Sequence, residues 1–122
     1  MKSFLLVFLG GGLGSGLRYL VASAMNQFSK VLPYGTFTVN MLGCLLIGLI
    51  LGYAQKENTL TSNQTLLLAT GFCGGFTTFS AFANENLELI KNGEIFNFSV
   101  YTICSVLIGI LAVYIGFYLT NR

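Results

Sequence analysis

Four apolar stretches, at 3–25, 35–53, 64–83 and 96–119, take up most of the chain and leave only short polar links between them. Each has about the 20 residues that carry a helix across roughly 30 Å of hydrocarbon. Because lipid offers no hydrogen bonds, every backbone N–H and C=O at that depth must be satisfied within the protein, which helices do internally. Composition points the same way: only 8% of the residues are charged, against roughly 25% in soluble domains, so most of the surface faces something other than water. The links, 26–34, 54–63 and 87–95, hold most of the charges and the only proline, Pro33. The expected architecture is one all-α domain over 1–122, a compact bundle of four transmembrane helices.

Several classes of function are excluded by what the chain lacks. The net charge of +2 is small and the basic residues are scattered, which leaves no nucleic-acid footprint and no polybasic lipid patch. Cys44, Cys73 and Cys104 lie inside apolar runs with no C-x-x-C spacing and read as packing residues. With no histidine, no nucleophile beside a base, and the few carboxylates near links, the chain is not expected to be an enzyme. Its lysine-led opening resembles a signal peptide, but no A-x-A-like site follows, and Arg18-Tyr19-Leu20 run on into further apolar sequence, so it is read as a retained first span.

Orientation is nearly unmarked. With four spans, Lys2, Lys56 and Arg122 fall on one side, while Lys30 and Lys91, with Arg18 near the end of its span, fall on the other. So even a balance leaves two readings under the positive-inside rule: copies inserted both ways and paired antiparallel, or a fixed orientation set by other means. Glycines recur at four-residue spacing as Gly10/Gly14, Gly12/Gly16, Gly48/Gly52 and Gly71/Gly75, a pattern that lets helix backbones approach closely in lipid.

The densest unusual segment is 70–85, T-G-F-C-G-G-F-T-T-F-S-A-F-A-N-E. Adjacent Gly74 and Gly75 weaken a helix in mid-span, and a break there would aim carbonyls of one half at a cation and amides of the other at an anion. Thr77, Thr78 and Ser80 add hydroxyls; the plain alternative is a packing kink with hydroxyls bonded back to their own helix. Phe76, Phe79 and Phe82, three residues apart, are expected on one face of the second half-helix, where their positive ring edges could face an anion or simply pack. Asn40, about one turn into the second span, either binds a neighbouring helix or lines an anion path, and Tyr101 and Ser105, an i, i+4 pair, could add hydroxyls to it. Arg18 and Glu85 read either as solvated anchors near span ends or as charges at a vestibule.

Three blocks resemble the CrcB/Fluc family of fluoride channels: G-G-G-L-G-S-G-L-R-Y at 10–19, P-Y-G-T-F-T-V-N-M-L-G at 33–43 and G-F-C-G-G-F-T-T-F-S-A-F at 71–82. The similarity runs over nearly the whole chain. It implies a multi-pass protein of the cell inner membrane, assembled as an antiparallel dual-topology homodimer with a broken third helix. It further implies two pores that passively export fluoride and a central structural sodium ion. On matching positions, Asn40, Phe79 and Phe82 would be pore residues, with Ser80 beside them, Arg18 in the vestibule and Glu85 on a polar track beyond. Tyr101 and Ser105 would line the pore from the fourth span, and the carbonyls of Gly74 and Thr77 would hold the sodium. The family commonly has threonine where this chain has Ala81, so one hydroxyl of the track is absent.

The residues and the resemblance agree on chemistry. A small anion that holds its water tightly enters hydrocarbon only where fixed donors replace that water. Two other classes fit parts of the pattern. A proton-coupled exporter like the small multidrug resistance proteins needs a glutamate within the first span, which this chain lacks. A non-conducting packing subunit would be served by the glycine pairs alone.

Overall fold

A computed structural model of the protein describes residues 1–29, 31–56 and 59–122. Lys30, counted above in the charge balance, lies outside the described residues. Among the described residues the fold is all-helical: α1 (Lys2–Met25), α2 (Tyr34–Gln55), α3 (Ser62–Thr65), α4 (Gly74–Phe76), α5 (Phe79–Lys91) and α6 (Ile95–Asn121). A run of π-helix, Leu66–Cys73, joins α3 to α4, and a short 3₁₀ turn, Asn26–Phe28, follows α1.

Among the described residues four helical stretches are long and apolar enough to cross a membrane: Lys2–Phe28, Tyr34–Gln55, Ser62–Lys91 and Ile95–Asn121. The third is longer than the 64–83 of its apolar run. Its start is fixed by a capping box, in which the Gln64 N–H donates to Thr61 Oγ1 (3.1 Å) and the Thr61 N–H to Gln64 Oε1 (2.9 Å). Its end is a Schellman turn: Gly93 adopts φ +75°, and the N–H groups of Gly93 and Glu94 donate to the carbonyls of Ile90 and Leu89. The extension past residue 83 is polar on one face, so it does not register as an apolar run; α5 is the most amphipathic of the long helices.

Helix packing is set by glycine. On one side of the bundle α1 lies against the π-helical run and α4, and a Cβ on Gly10 or Gly14 would run into the carbonyls of Leu67 or Phe72. On the other side α2 and α6 make the most extensive contact, with Gly48 against the Val113 carbonyl and Gly116 against that of Leu45. Such close backbone approach gains dispersion contact where apolar burial no longer drives association. Gly12 and Gly16, which share the same spacing, have nothing within 4 Å of a would-be Cβ and do not serve as a packing pair. Phe4, Phe8, Leu13, Leu107, Ile110 and Tyr114 all face outward, as side chains in contact with lipid tails do.

Candidate functional site: the turn between α4 and α5

Helix stops at Phe76 and starts again at Phe79. Between them Thr77 (φ −86°, ψ 159°) and Thr78 (φ −148°, ψ 125°) are extended. The sequence reading puts the weak point at Gly74 and Gly75, and the structure moves it: Gly74 is helical at φ −63°, ψ −36°, and Gly75 is pressed against the Gly11 carbonyl of α1. The glycines are therefore where α1 approaches, and the threonines are where the chain turns. Thr78 starts the new helix by accepting the Ala81 N–H on its hydroxyl (3.2 Å), an N-cap. Phe76 consequently does not belong to the second half-helix; it is buried before the turn and stacks on Phe72 at 5.7 Å.

Side chains from α1 and α2 grip this turn from two directions. Asn40 pairs with the Thr78 peptide at both ends: its Nδ2 donates to the Thr78 carbonyl (3.0 Å) and its Oδ1 accepts the Thr78 N–H (2.8 Å). One N–H of the Asn40 amide remains beyond that pair. One turn further along α2, Gly43 leaves the space that the Thr77 methyl fills. From α1, Arg18 Nε (3.0 Å) and Ser15 Oγ (3.3 Å) both donate to the Gly75 carbonyl. Arg18 is thus brought to the turn itself, on the α1 side, rather than being left as a free charge at a span end.

The carbonyls at the turn can be followed one at a time. Cys73 accepts both the N–H (3.0 Å) and the hydroxyl (2.9 Å) of Thr77, and Gly75 accepts Ser15 and Arg18. In an unbroken helix the Gly74 carbonyl would receive the Thr78 N–H and the Thr77 carbonyl the Ala81 N–H. Those two protons go instead to Asn40 Oδ1 and Thr78 Oγ1. Gly74 and Thr77 are therefore carbonyls whose helical donors have been taken away, and Gly74 is exposed on the outside of the chain.

Beside the turn runs a groove of about 520 Å³, lined among others by Asn40, Thr77, Thr78, Phe79, Phe82 and Ser105. The Ser105 hydroxyl is buried and has no hydrogen-bond partner among the described residues. Phe79 is 76% exposed, an outward-facing ring at a polar turn, and it tilts by 47° against Phe82 at 5.7 Å. Phe82 in turn meets Tyr101 at 5.1 Å and 58°. Ser80 is exposed, with its hydroxyl 3.3 Å from that of Thr78.

Beyond Phe82, Glu85 accepts hydrogen bonds from Thr36 Oγ1 (2.6 Å) and from the Tyr101 hydroxyl (2.9 Å). Tyr101 is buried with its ring on Phe82 and its oxygen on Glu85, one helical turn from Ser105. The structure so brings Asn40, Phe79, Phe82, Ser105 and Tyr101 to one region, with Glu85 at its far end and Arg18 across the turn. Sequence reasoning passed over Thr36 and Ser15. Ser15 sits three residues before Arg18 on the same helical face, a usable signal. Thr36 pairs with a residue 49 positions away, which no local pattern shows. Among the described residues no three His, Cys, Asp or Glu side chains come together as a metal site.

Four helical stretches among the described residues, each long and apolar enough to cross a bilayer, define a multi-pass membrane protein, and the third of them carries the hydrogen-bonded turn at Thr77 and Thr78. Residues 5–117 match the sequence profile described as CrcB-like protein, Camphor Resistance (CrcB). The chain is 45% identical over 117 residues to the fluoride-specific ion channel FluC of Flavobacterium psychrophilum, covering 95% of this chain and 94% of that one. The proteins of the same name from Phocaeicola vulgatus and Gloeothece citriformis are 48% and 49% identical, with 99% and 100% of this chain covered and 100% and 99% of theirs. The chain belongs to the CrcB family.

Proposed function

We propose that the chain is a fluoride-specific ion channel that lets fluoride leave the cytoplasm passively and so lowers its toxicity, working as a conduit and not an enzyme. It acts in the bacterial inner membrane as an antiparallel, dual-topology homodimer with two pores and a central structural sodium ion. The observation that carries the reading is the capped turn at Thr77 and Thr78, with Phe79, Phe82, Asn40 and the unpartnered Ser105 hydroxyl around it, in a chain whose relatives are named for fluoride conduction.

The chemistry suits a small, strongly hydrated anion. The first N–H groups of α5 have no intrahelical acceptor and sit at the positive end of a 13-residue helix. The tilted rings of Phe79 and Phe82 can offer their positive edges. Asn40 keeps one N–H for an anion while the rest of its amide is held on Thr78, so the donor is fixed in direction before the ion arrives. Each of these donors is weak, and an ion held by several weak donors can leave as readily as it enters.

A second copy is called for by solvation. The carbonyl of the exposed Gly74, the Thr77 carbonyl and a groove containing a bare hydroxyl, all without their helical or hydrogen-bond donors, are costly against lipid tails, where each unsatisfied polar group costs several kcal/mol. An antiparallel partner would cover them, in keeping with flanking charges too balanced to fix one orientation. The Gly74 and Thr77 carbonyls fit a hard cation that takes oxygen ligands, and sodium bound there would supply fixed positive charge between the pores.

Purified protein in liposomes loaded with potassium fluoride, with valinomycin to carry the balancing potassium, tests the reading. Fluoride efflux well above that of empty liposomes, with chloride retained, is the expected result. Efflux no faster than from empty liposomes contradicts it. Tags at both termini, each reached from both faces of the membrane, are expected for dual topology; a single orientation would exclude the antiparallel homodimer.

A further inference from the structure

We propose that Asn40 and Thr78 are positioning residues that make the cation site, by diverting the two amide protons that would otherwise close onto the Gly74 and Thr77 carbonyls. The inference rests on the sodium reading above and goes beyond it in naming what keeps those carbonyls open.

A helix left to itself satisfies its carbonyls four residues on, and mid-span there is no water to compete. The default partners of Gly74 and Thr77 are the N–H groups of Thr78 and Ala81. Both are captured by side chains, Thr78 N–H by Asn40 Oδ1 at 2.8 Å and Ala81 N–H by Thr78 Oγ1 at 3.2 Å. Neighbouring carbonyls are treated differently: Cys73 is satisfied by Thr77, and Gly75 by Ser15 and Arg18. The side chains thus cap Gly75 and strip Gly74 and Thr77, which selects particular oxygens for a cation.

Asn40 is well placed to do this because it holds the Thr78 peptide at both ends. Its Nδ2 on the Thr78 carbonyl (3.0 Å) fixes the amide so that Oδ1, and not the nitrogen, meets the Thr78 N–H. Gly43 on the same helix admits the Thr77 methyl and brings α2 close enough for the pair to form. Asn40 therefore has two tasks, of which donating to an anion is only one.

The two tasks separate in a measurement that does not involve fluoride. Thermal unfolding of the purified dimer is followed in sodium chloride and in N-methylglucamine chloride at equal ionic strength, and the difference between the two midpoints is the readout. A merely destabilising substitution lowers both midpoints and leaves the difference alone. Wild-type protein is expected to melt higher in sodium. Asn40→Leu and Thr78→Val should lose most of that difference, since the freed protons can return to Gly74 and Thr77. Thr78→Ser keeps the acceptor oxygen and should keep the difference. If Asn40→Leu does not fold, the Thr78→Val and Thr78→Ser pair carries the test. A wild-type difference kept in full by Thr78→Val overturns the inference and leaves the sodium reading standing. A wild-type midpoint indifferent to sodium overturns both, while fluoride efflux remains a separate result.

Discussion

Up to Phe76 the third span is held against α1 by main-chain contact: a Cβ on Gly10, Gly14 or Gly75 would strike the carbonyls of Leu67, Phe72 or Gly11. Past Thr78 the same span, now α5, makes far less contact and is held by side-chain hydrogen bonds, Thr36 and Tyr101 to Glu85 and Thr102 to Asn86 (3.2 Å). Close backbone packing tolerates no rearrangement, whereas a hydrogen bond between side chains can be exchanged for one to a passing ion. The interruption joins a fixed half to an exchangeable one, and the groove beside it is lined from both, by Cys73 and Gly74 before the turn and by Phe79 and Phe82 after it.

That contrast can be broken at its strong end first. Gly14→Val places a branched side chain on the Phe72 carbonyl and within 2.8 Å of the Phe76 N, where only backbone could give way. The expected cost is about 3 kcal/mol or more, seen as loss of the monodisperse peak in size exclusion. A well-folded Gly14→Val protein would mean that the first half is not locked by shape.

The polar half should respond less. Thr36→Val leaves the Glu85 carboxylate with Tyr101 as its remaining hydroxyl donor, and Tyr101→Phe does the converse; each is expected to cost about 1–3 kcal/mol of unfolding free energy, read as a lowered unfolding midpoint. Because both donors share one acceptor, the double variant should depart from the sum of the single effects. Additive effects would show that the three groups do not act together. Smallest of all is Gly12→Ala, on the same helix as Gly14 but with open space around it. It should be neutral or stabilising by up to about 1 kcal/mol, the helix preference of alanine over glycine. Destabilisation there would mean a neighbour covers that face in the assembled protein.

The four spans were legible because apolar runs of about 20 residues leave a chain few other folds. Where they end was less so: the third apolar run stops at 83 because Glu85 and Asn86 follow it, and the partners that hold these two in the helix, Thr36, Tyr101 and Thr102, lie on other helices. The glycine spacing was visible, but Gly10/Gly14 and Gly12/Gly16 are identical in pattern and differ only in which way they face. For the same reason the turn was expected at Gly74 and Gly75. Their softness is real, yet α1 presses on Gly75, and the hydroxyl of Thr78 is what starts the next helix. Arg18 looked like a charge near a span end because its acceptor, the Gly75 carbonyl, is 57 residues away.

The most direct test sets wild-type protein and the Phe79→Ile, Phe82→Ile double variant side by side in fluoride-loaded liposomes. Both should fold and dimerise, since an aromatic-to-aliphatic change at an exposed and a half-buried ring costs little. The wild type is expected to release fluoride and retain chloride, and the double variant to retain both. Fluoride release at the wild-type rate by a folded double variant would contradict an anion route past those two rings.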